Sequence, residues 1–262
     1  MIKRIRFENL KNTRDLGGFE TASGRHIRPG RLIRSGALAN ASANDLDKLV
    51  DGIGIGSVID LRTDIEIYNA PDPEIEGVDY IKLPLLDDSF FGIARDEYSM
   101  ETWLDIFKDP SLSPAAIFGN MYRKLTFDER VKQYVRQFFE ILAEADRPVL
   151  WHCSAGKDRV GVMTALLLYA LDVPYEQIVR DYLMTGFFTF PEIAKTVVFG
   201  SLKFRDKRKT ESIRVLMGVR SEYLDNIFLK ISEDYKDVFD FFEGQFGIGK
   251  ELIMKLRDKY LE

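Results

Sequence analysis

Apolar residues recur along this chain with two different periods. Val131, Tyr134, Val135, Phe138, Leu142 and Ala145 fall three or four apart, which predicts an amphipathic helix over 131–145, closed by Arg147-Pro148. Residues 159–171 are apolar on almost every side and predict a buried helix. Short apolar runs predict strands at 31–35, 55–61, 78–85 and 148–152. Residues 43–51 predict another helix, with Ser42 as N-cap, Asp45 at the capping-box spacing and Gly52 as the stop. Residues 89–130 mix aromatics with turn pairs such as Asp109-Pro110 and Ser113-Pro114, and predict short helices laid over a surface. From 174 to 262 the pattern is helical throughout. A strand, a tight turn and a buried helix follow one another at 148–171. That βα succession predicts an α/β fold, with a central, mainly parallel sheet flanked by helices.

Composition narrows the function classes. The chain has 262 residues, 45% of them hydrophobic and 12% aromatic, enough for a sizeable core and too much for a disordered chain. One Cys makes an internal disulfide impossible, and one Cys with two scattered His argues against a zinc site, so neither metal nor cofactor is expected. The strongly apolar uncharged run Val160 to Leu171 falls short of the ~20 residues that span a bilayer. No stretch of signal-peptide character opens the chain, so a cytoplasmic location is the expectation, with secretion by another route left open. The net charge of −5 does not suggest a nucleic-acid partner. That mild value averages unlike parts. Residues 1–34 carry nine Lys/Arg against three Asp/Glu, and residues 195–220 carry eight against two. The second segment reads either as a solvated face or as a rim that attracts anionic substrates, phosphopeptides or anionic lipid headgroups among them.

The chemistry concentrates in Trp151-His152-Cys153-Ser154-Ala155-Gly156-Lys157-Asp158-Arg159-Val160-Gly161. Cys153 stands where a strand ends and Arg159 where a helix begins. A helix N-terminus presents unpaired N–H groups and partial positive charge. The small residues Ser154, Ala155 and Gly156 can turn further N–H groups inward, forming a nest for a tetrahedral oxyanion. Arg159 adds a permanently charged planar fork suited to phosphate. Positive potential of this kind favours thiolate over thiol. The loop thus binds phosphate and aims a nucleophile at phosphorus. A lone Cys is otherwise a small buried hydrophobe.

The run from His152 to Arg159 resembles the signature loop of the cysteine-dependent protein tyrosine phosphatases, and in its fuller form their bacterial and fungal branch, mycobacterial members included. Further stretches are similar to that branch in the same order: Asn12-Thr-Arg14-Asp15-Leu-Gly17-Gly18, Arg31-Leu-Ile-Arg34-Ser35-Gly36, Val58-Ile-Asp60-Leu-Arg62-Thr-Asp-Ile-Glu66, and Val219-Arg220-Ser-Glu-Tyr223-Leu224. The resemblance implies a single phosphatase domain over 1–262, with residues about 187–235 inserted as a helical lid. It implies Cys153 as nucleophile through a phosphocysteine, Arg159 with the amides of Ser154, Ala155, Gly156, Lys157 and Asp158 as the phosphate cradle, and Asp158 as general acid. Asp87, Asp88 and Asp128 are the alternative acids. His152, Asp60 and Arg62 are expected to support the loop, and Arg14, Asp15 and Arg34 to make structural ion pairs. The implied substrate is a phosphotyrosine protein or another phosphomonoester, with dual specificity or phosphoinositide activity in range. One departure is Val160, where many relatives carry a Ser or Thr hydroxyl. It keeps a catalytically weak phospho-ligand binding module in view, and a rhodanese-type sulfurtransferase is the other alternative.

Overall fold

A computed structural model describes residues 3–86, 113–204 and 206–262. Six strands form one sheet: β1 (Lys3–Arg4), β2 (Arg14–Asp15), β3 (Leu32–Ser35), β4 (Ser57–Asp60), β5 (Asp79–Lys82) and β6 (Val149–His152). Their order is β1-β2-β3-β6-β4-β5. Strands β3, β6, β4 and β5 run parallel, and the short β1 and β2 join antiparallel at one edge. The expected parallel centre is therefore present, with antiparallel strands added at an edge where only two-residue pairings form. Those pairings are too short to leave a periodic signal.

Alternation along the strands divides the core. Ile33, Val58 and Leu150 point to one face, where they pack with Leu38, Leu49 and Ile55. Leu32, Ile59, Val149 and Trp151 point to the other, which the larger core covers. On the smaller side, α1 (Ala43–Asp47) carries the expected Ser42–Asp45 capping box and then widens into a π-helical turn, Lys48–Ile53. That turn ends at Gly54 (φ 76°), past the predicted stop at Gly52, because Gly54 adopts the left-handed conformation that terminates it. Helix α2 (Asp64–Asn69) follows β4.

The larger side is helical. Helix α3 (Pro114–Phe127) is one continuous helix where shorter pieces were expected; Ser113 caps it and Pro114 opens it. The rest of that expectation, with Asp87 and Asp88, lies outside the described residues. Next come α4 (Glu129–Glu144), α5 (Asp158–Ala170), α6 (Tyr175–Phe188), α7 (Phe190–Phe204), α8 (Lys207–Met217), α9 (Ser221–Asp234), α10 (Val238–Phe246) and α11 (Lys250–Tyr260). Ten residues of α5 are buried, as its all-round apolar pattern requires. Trp151 anchors the sheet to this layer: its ring meets Phe138 edge-on at 5.4 Å, and its Nε1–H donates to Thr164 Oγ1 at 3.1 Å. Among the described residues no helix is long and apolar enough to cross a membrane.

Candidate active site

Parallel pairing brings three strand ends together. Ser35 of β3 and Asp60 of β4 both stand opposite His152, the last residue of β6. Carboxyl ends of strands open onto the crevice of such a sheet, and the chain enters the 153–157 loop there before turning into α5.

The loop closes only because neighbours hold its carbonyl groups outward. Ser154 O accepts from the Ala37 amide at 3.0 Å. Asn12 Nδ2 donates to Ala155 O (3.2 Å) and Gly156 O (2.7 Å), and Arg34 Nη2 donates to Gly156 O (2.9 Å). Asn12 reaches this position from a left-handed backbone (φ 57°), which Asn tolerates better than most residues. With the carbonyls turned out, the amides of the loop and of the first turn of α5 are left for an anion. Gly156 cannot be replaced cheaply. Its φ is 66°, and a Cβ there would lie 2.5 Å from Ser35 O.

Cys153 is 2% exposed and lies within the electrostatic reach of Arg159 and Arg34. Arg159 is clamped from outside the loop by Glu66 of α2: Nη1 donates to Oε2 at 2.5 Å and Nη2 to Oε1 at 2.7 Å. Ser154 Oγ also donates to Glu66 Oε1. Burial pushes the Glu66 carboxyl up, but Arg159, with help from Ser154 and the Thr63 amide, holds it down at about 2. Glu66 is itself oriented by α2, since it completes a capping box with Thr63. The guanidinium therefore enters the site pre-aimed, and the same carboxylate keeps it charged against the cost of burial.

Asp158 opens α5. Its Oδ1 accepts a 2.6 Å hydrogen bond from the Tyr122 hydroxyl, and its Oδ2 lies 3.4 Å from Lys157 Nζ. Lys157 is 7% exposed; its Nζ donates to Leu216 O at 2.6 Å and sits 5.5 Å from the Phe118 ring. It is a packed part of the rim rather than a solvated side chain. Asp128 is elsewhere, capping α4 with Arg130, whose hydrogen bonds hold the Asp128 carboxyl at about 2. Val160 is fully buried in the core face of α5.

Beneath the loop, Asp60, Arg62 and His152 lie together with one more residue, Asp72. Arg62 Nε and Nη2 grip Asp60 at 2.7 to 3.0 Å, and Nη2 also reaches Asp72 at 2.7 Å. The buried His152 ring lies over this group, with Nε2 3.0 Å from Asp72 Oδ2 and Nδ1 3.3 Å from Cys153 O. Asp60, Asp72 and His152 are close enough to share a cation, and the Arg62 guanidinium already supplies one to both carboxylates. Arg14 and Arg34 do make structural ion pairs, with Asp181 of α6, at 2.6 and 2.5 Å. Asp15 instead accepts from the Gly17 and Gly30 amides at 2.8 and 2.7 Å.

Three residues that hold these groups by hydrogen bonds or ion pairs were not singled out from the sequence. Glu66 had a readable signal, the Thr-x-x-Glu capping spacing at 63–66. Asp181 had one too: it shares the helix face of Ile178, Tyr182, Thr185 and Phe188, which is buried, and a carboxylate there requires a buried partner. Asp72, in an irregular segment, had none.

The family model described as the tyrosine phosphatase family matches residues 5–262. A protein of Cupriavidus necator named as a tyrosine-protein phosphatase is 33% identical over 184 residues, 68% of this chain and 62% of its own length. The triple specificity protein phosphatase PtpB of Mycobacterium tuberculosis is 29% identical over 272 residues, 94% of this chain and 95% of its own. Among solved structures, TpbA of P. aeruginosa overlaps 82% of this chain and 97% of its own at 14% identity and a TM-score of 0.33, too loose a match to add to the assignment. A family match over almost the whole chain, with the loop, its Arg and its braces drawn together at one sheet edge, leads to one assignment: the chain belongs to the tyrosine phosphatase family.

Proposed function

We propose that this chain hydrolyses phosphate monoesters as a protein tyrosine phosphatase, through a phosphocysteine on Cys153. Cys153 Sγ attacks phosphorus and forms the S–P bond as the bond to the leaving oxygen breaks. Asp158 gives its proton to that oxygen. Water then attacks the phosphocysteine, with Asp158 taking the proton back, and inorganic phosphate leaves. Arg159 and the amides of Ser154, Ala155, Gly156, Lys157, Asp158 and Arg159 hold the three equatorial oxygens as charge redistributes. His152, Asp60 and Arg62 act only as supports. The observation that carries this reading is the Arg159–Glu66 clamp facing a buried Cys153 across a loop whose carbonyl groups are tied outward. Val160 supplies no hydroxyl beside the loop, which slows phosphocysteine breakdown without removing any of these groups.

Phosphotyrosine proteins are the first substrate class. One relative is named for triple specificity, which extends the proposed range to phosphoserine, phosphothreonine and anionic lipid headgroups. The basic surplus in 195–220 favours anionic substrates of any of these kinds. Residues about 187–235 act as a lid. The hydrogen bond from Lys157 to Leu216 O at the end of α8 ties that segment to the phosphate loop.

Cys153→Ser tests the reading. Turnover of an aryl phosphate should fall by about 10⁴-fold or more while inorganic phosphate still binds. Unchanged turnover rejects the mechanism. Wild-type phosphate release also removes the silent binding module, and cyanide-dependent thiosulfate turnover would redirect the assignment to a sulfurtransferase.

A further inference from the structure

Three buried tyrosines from three helices surround Asp158. Tyr122 of α3 is fully buried and donates to Asp158 Oδ1 at 2.6 Å. Its oxygen is also 2.6 Å from that of Tyr182 of α6. A phenol has one proton, so Tyr122, having given its own to Asp158, accepts from Tyr182. Among the described residues the Tyr182 hydroxyl has no hydrogen-bond acceptor but Tyr122. The row therefore has one direction, from Tyr182 to Tyr122 to Asp158 Oδ1, because the reverse would leave the Tyr182 proton without an acceptor.

We propose that Tyr122, held by Tyr182, is a positioning residue that keeps Asp158 Oδ1 occupied as an acceptor, so that the transferable proton resides on Oδ2. The inference rests on Asp158 being the general acid. If Oδ1 carried the proton it would donate to Tyr122, Tyr122 to Tyr182, and the Tyr182 proton would meet no acceptor among the described residues. With Oδ1 engaged, proton transfer leaves from a single oxygen, held in one rotamer at the N-terminus of α5. Both phenols remain donors through the neutral range. Burial first, and then the adjacent Asp158 charge, push Tyr122 and Tyr182 well above the usual tyrosine value. The other groups facing Asp158 are Lys157, whose Nζ is 3.4 Å from Oδ2, the Arg159 guanidinium, and Tyr223 of α9, whose ring centroid is 5.0 Å from that of Tyr122.

The test compares wild type, Tyr122→Phe, Tyr182→Phe and Asp158→Asn in kcat/KM against pH, with phenyl phosphate and with p-nitrophenyl phosphate. The basic phenolate needs the acid; the nitrophenolate needs it far less. In Tyr122→Phe, phenyl phosphate turnover should drop about tenfold and p-nitrophenyl phosphate turnover less than about threefold. Oδ1 loses its donor in Tyr122→Phe, so the pH profile of this variant should differ from that of wild type. Tyr182→Phe should shift both readouts the same way by a smaller amount. If Asp158→Asn keeps the wild-type response to leaving group, the acid assignment itself fails. If Asp158→Asn loses that response but Tyr122→Phe keeps it, or loses both substrates equally with an unmoved pH profile, Tyr122 is only packing and the inference is overturned. Should Tyr122→Phe not fold, a folded Tyr182→Phe with a wild-type profile overturns it equally.

Discussion

Replacing Asp181 by Asn removes the anion from a buried group of three charges. Arg14, Arg34 and Asp181 are each at most 1% exposed. Arg14 Nε and Nη2 reach the Asp181 carboxylate at 2.6 and 3.2 Å, and Arg34 Nη1 reaches it at 2.5 Å. Burial raises the Asp181 carboxyl, and the two guanidiniums overcome that and leave it below the usual carboxylate range. Burial and the Arg14 charge bring Arg34 down to about 10, so it still carries its proton at neutral pH. Asn would therefore leave two desolvated cations without a counter-charge, and set its own NH₂ against a guanidinium N–H. Breaking a buried pair in this way costs about 3–5 kcal/mol. At about 2–4 °C per kcal/mol for a chain of this size, Tm should fall by about 6–20 °C. The damage should also reach the reaction, because Arg34 Nη2 is one of the groups holding Gly156 O outward; kcat/KM should drop at least about tenfold. Thermal unfolding followed by circular dichroism, with aryl phosphate turnover measured well below Tm, checks both. Exchanging all three charges for apolar residues of similar volume should recover much of the stability and none of the turnover. An Asp181→Asn protein melting within about 2 °C of wild type would refute the reasoning, because the two cations would then have found water or another anion.

Glu66→Gln should keep the capping geometry but unclamp Arg159, lowering kcat/KM by about ten- to a hundredfold in steady-state assays. Glu66 also predicts an acid-labile contribution. Its folded value of about 2 lies below the ordinary 4.5, so the stabilisation is present in full above about pH 4.5 and is lost as pH falls through about 2. The side chain is 31% exposed, which screens the effect to about 1–2 kcal/mol, readable as a smaller pH dependence of urea stability in Glu66→Gln. Gly156→Ala should abolish calorimetric phosphate binding, because the loop must move to clear Ser35 O; binding at wild-type affinity would show that it relaxes at little cost.

The proposed catalytic loop was readable because its chemistry is local. Cys153, the small residues after it and Arg159 are contiguous, and a strand-to-helix turn suffices to predict what they do together. The parallel centre of the sheet was readable for a similar reason, through the βα succession at 148–171. Support residues were only partly readable. Asp60 and Arg62 lie two apart on a strand end, whereas their partner Asp72 lies in a segment without regular pattern. Asp15 illustrates a different failure. A charged residue between Arg14 and Leu16 suggests an ion pair, but Asp15 instead caps turn amides, which only backbone geometry reveals.

By itself, then, the sequence determined the strands and helices with a clear period and the strand-to-helix turn that carries Cys153 and Arg159. Only the tertiary structure decided what surrounds that turn. Asn12, Arg34, Glu66, Tyr122 and Asp181 come from five separate segments, and their roles rest on hydrogen bonds between residues distant in sequence. No short-range pattern encodes such pairings, because they form only when the parallel register of β3, β6 and β4 draws their ends to one edge and burial makes every charge brought there find a partner.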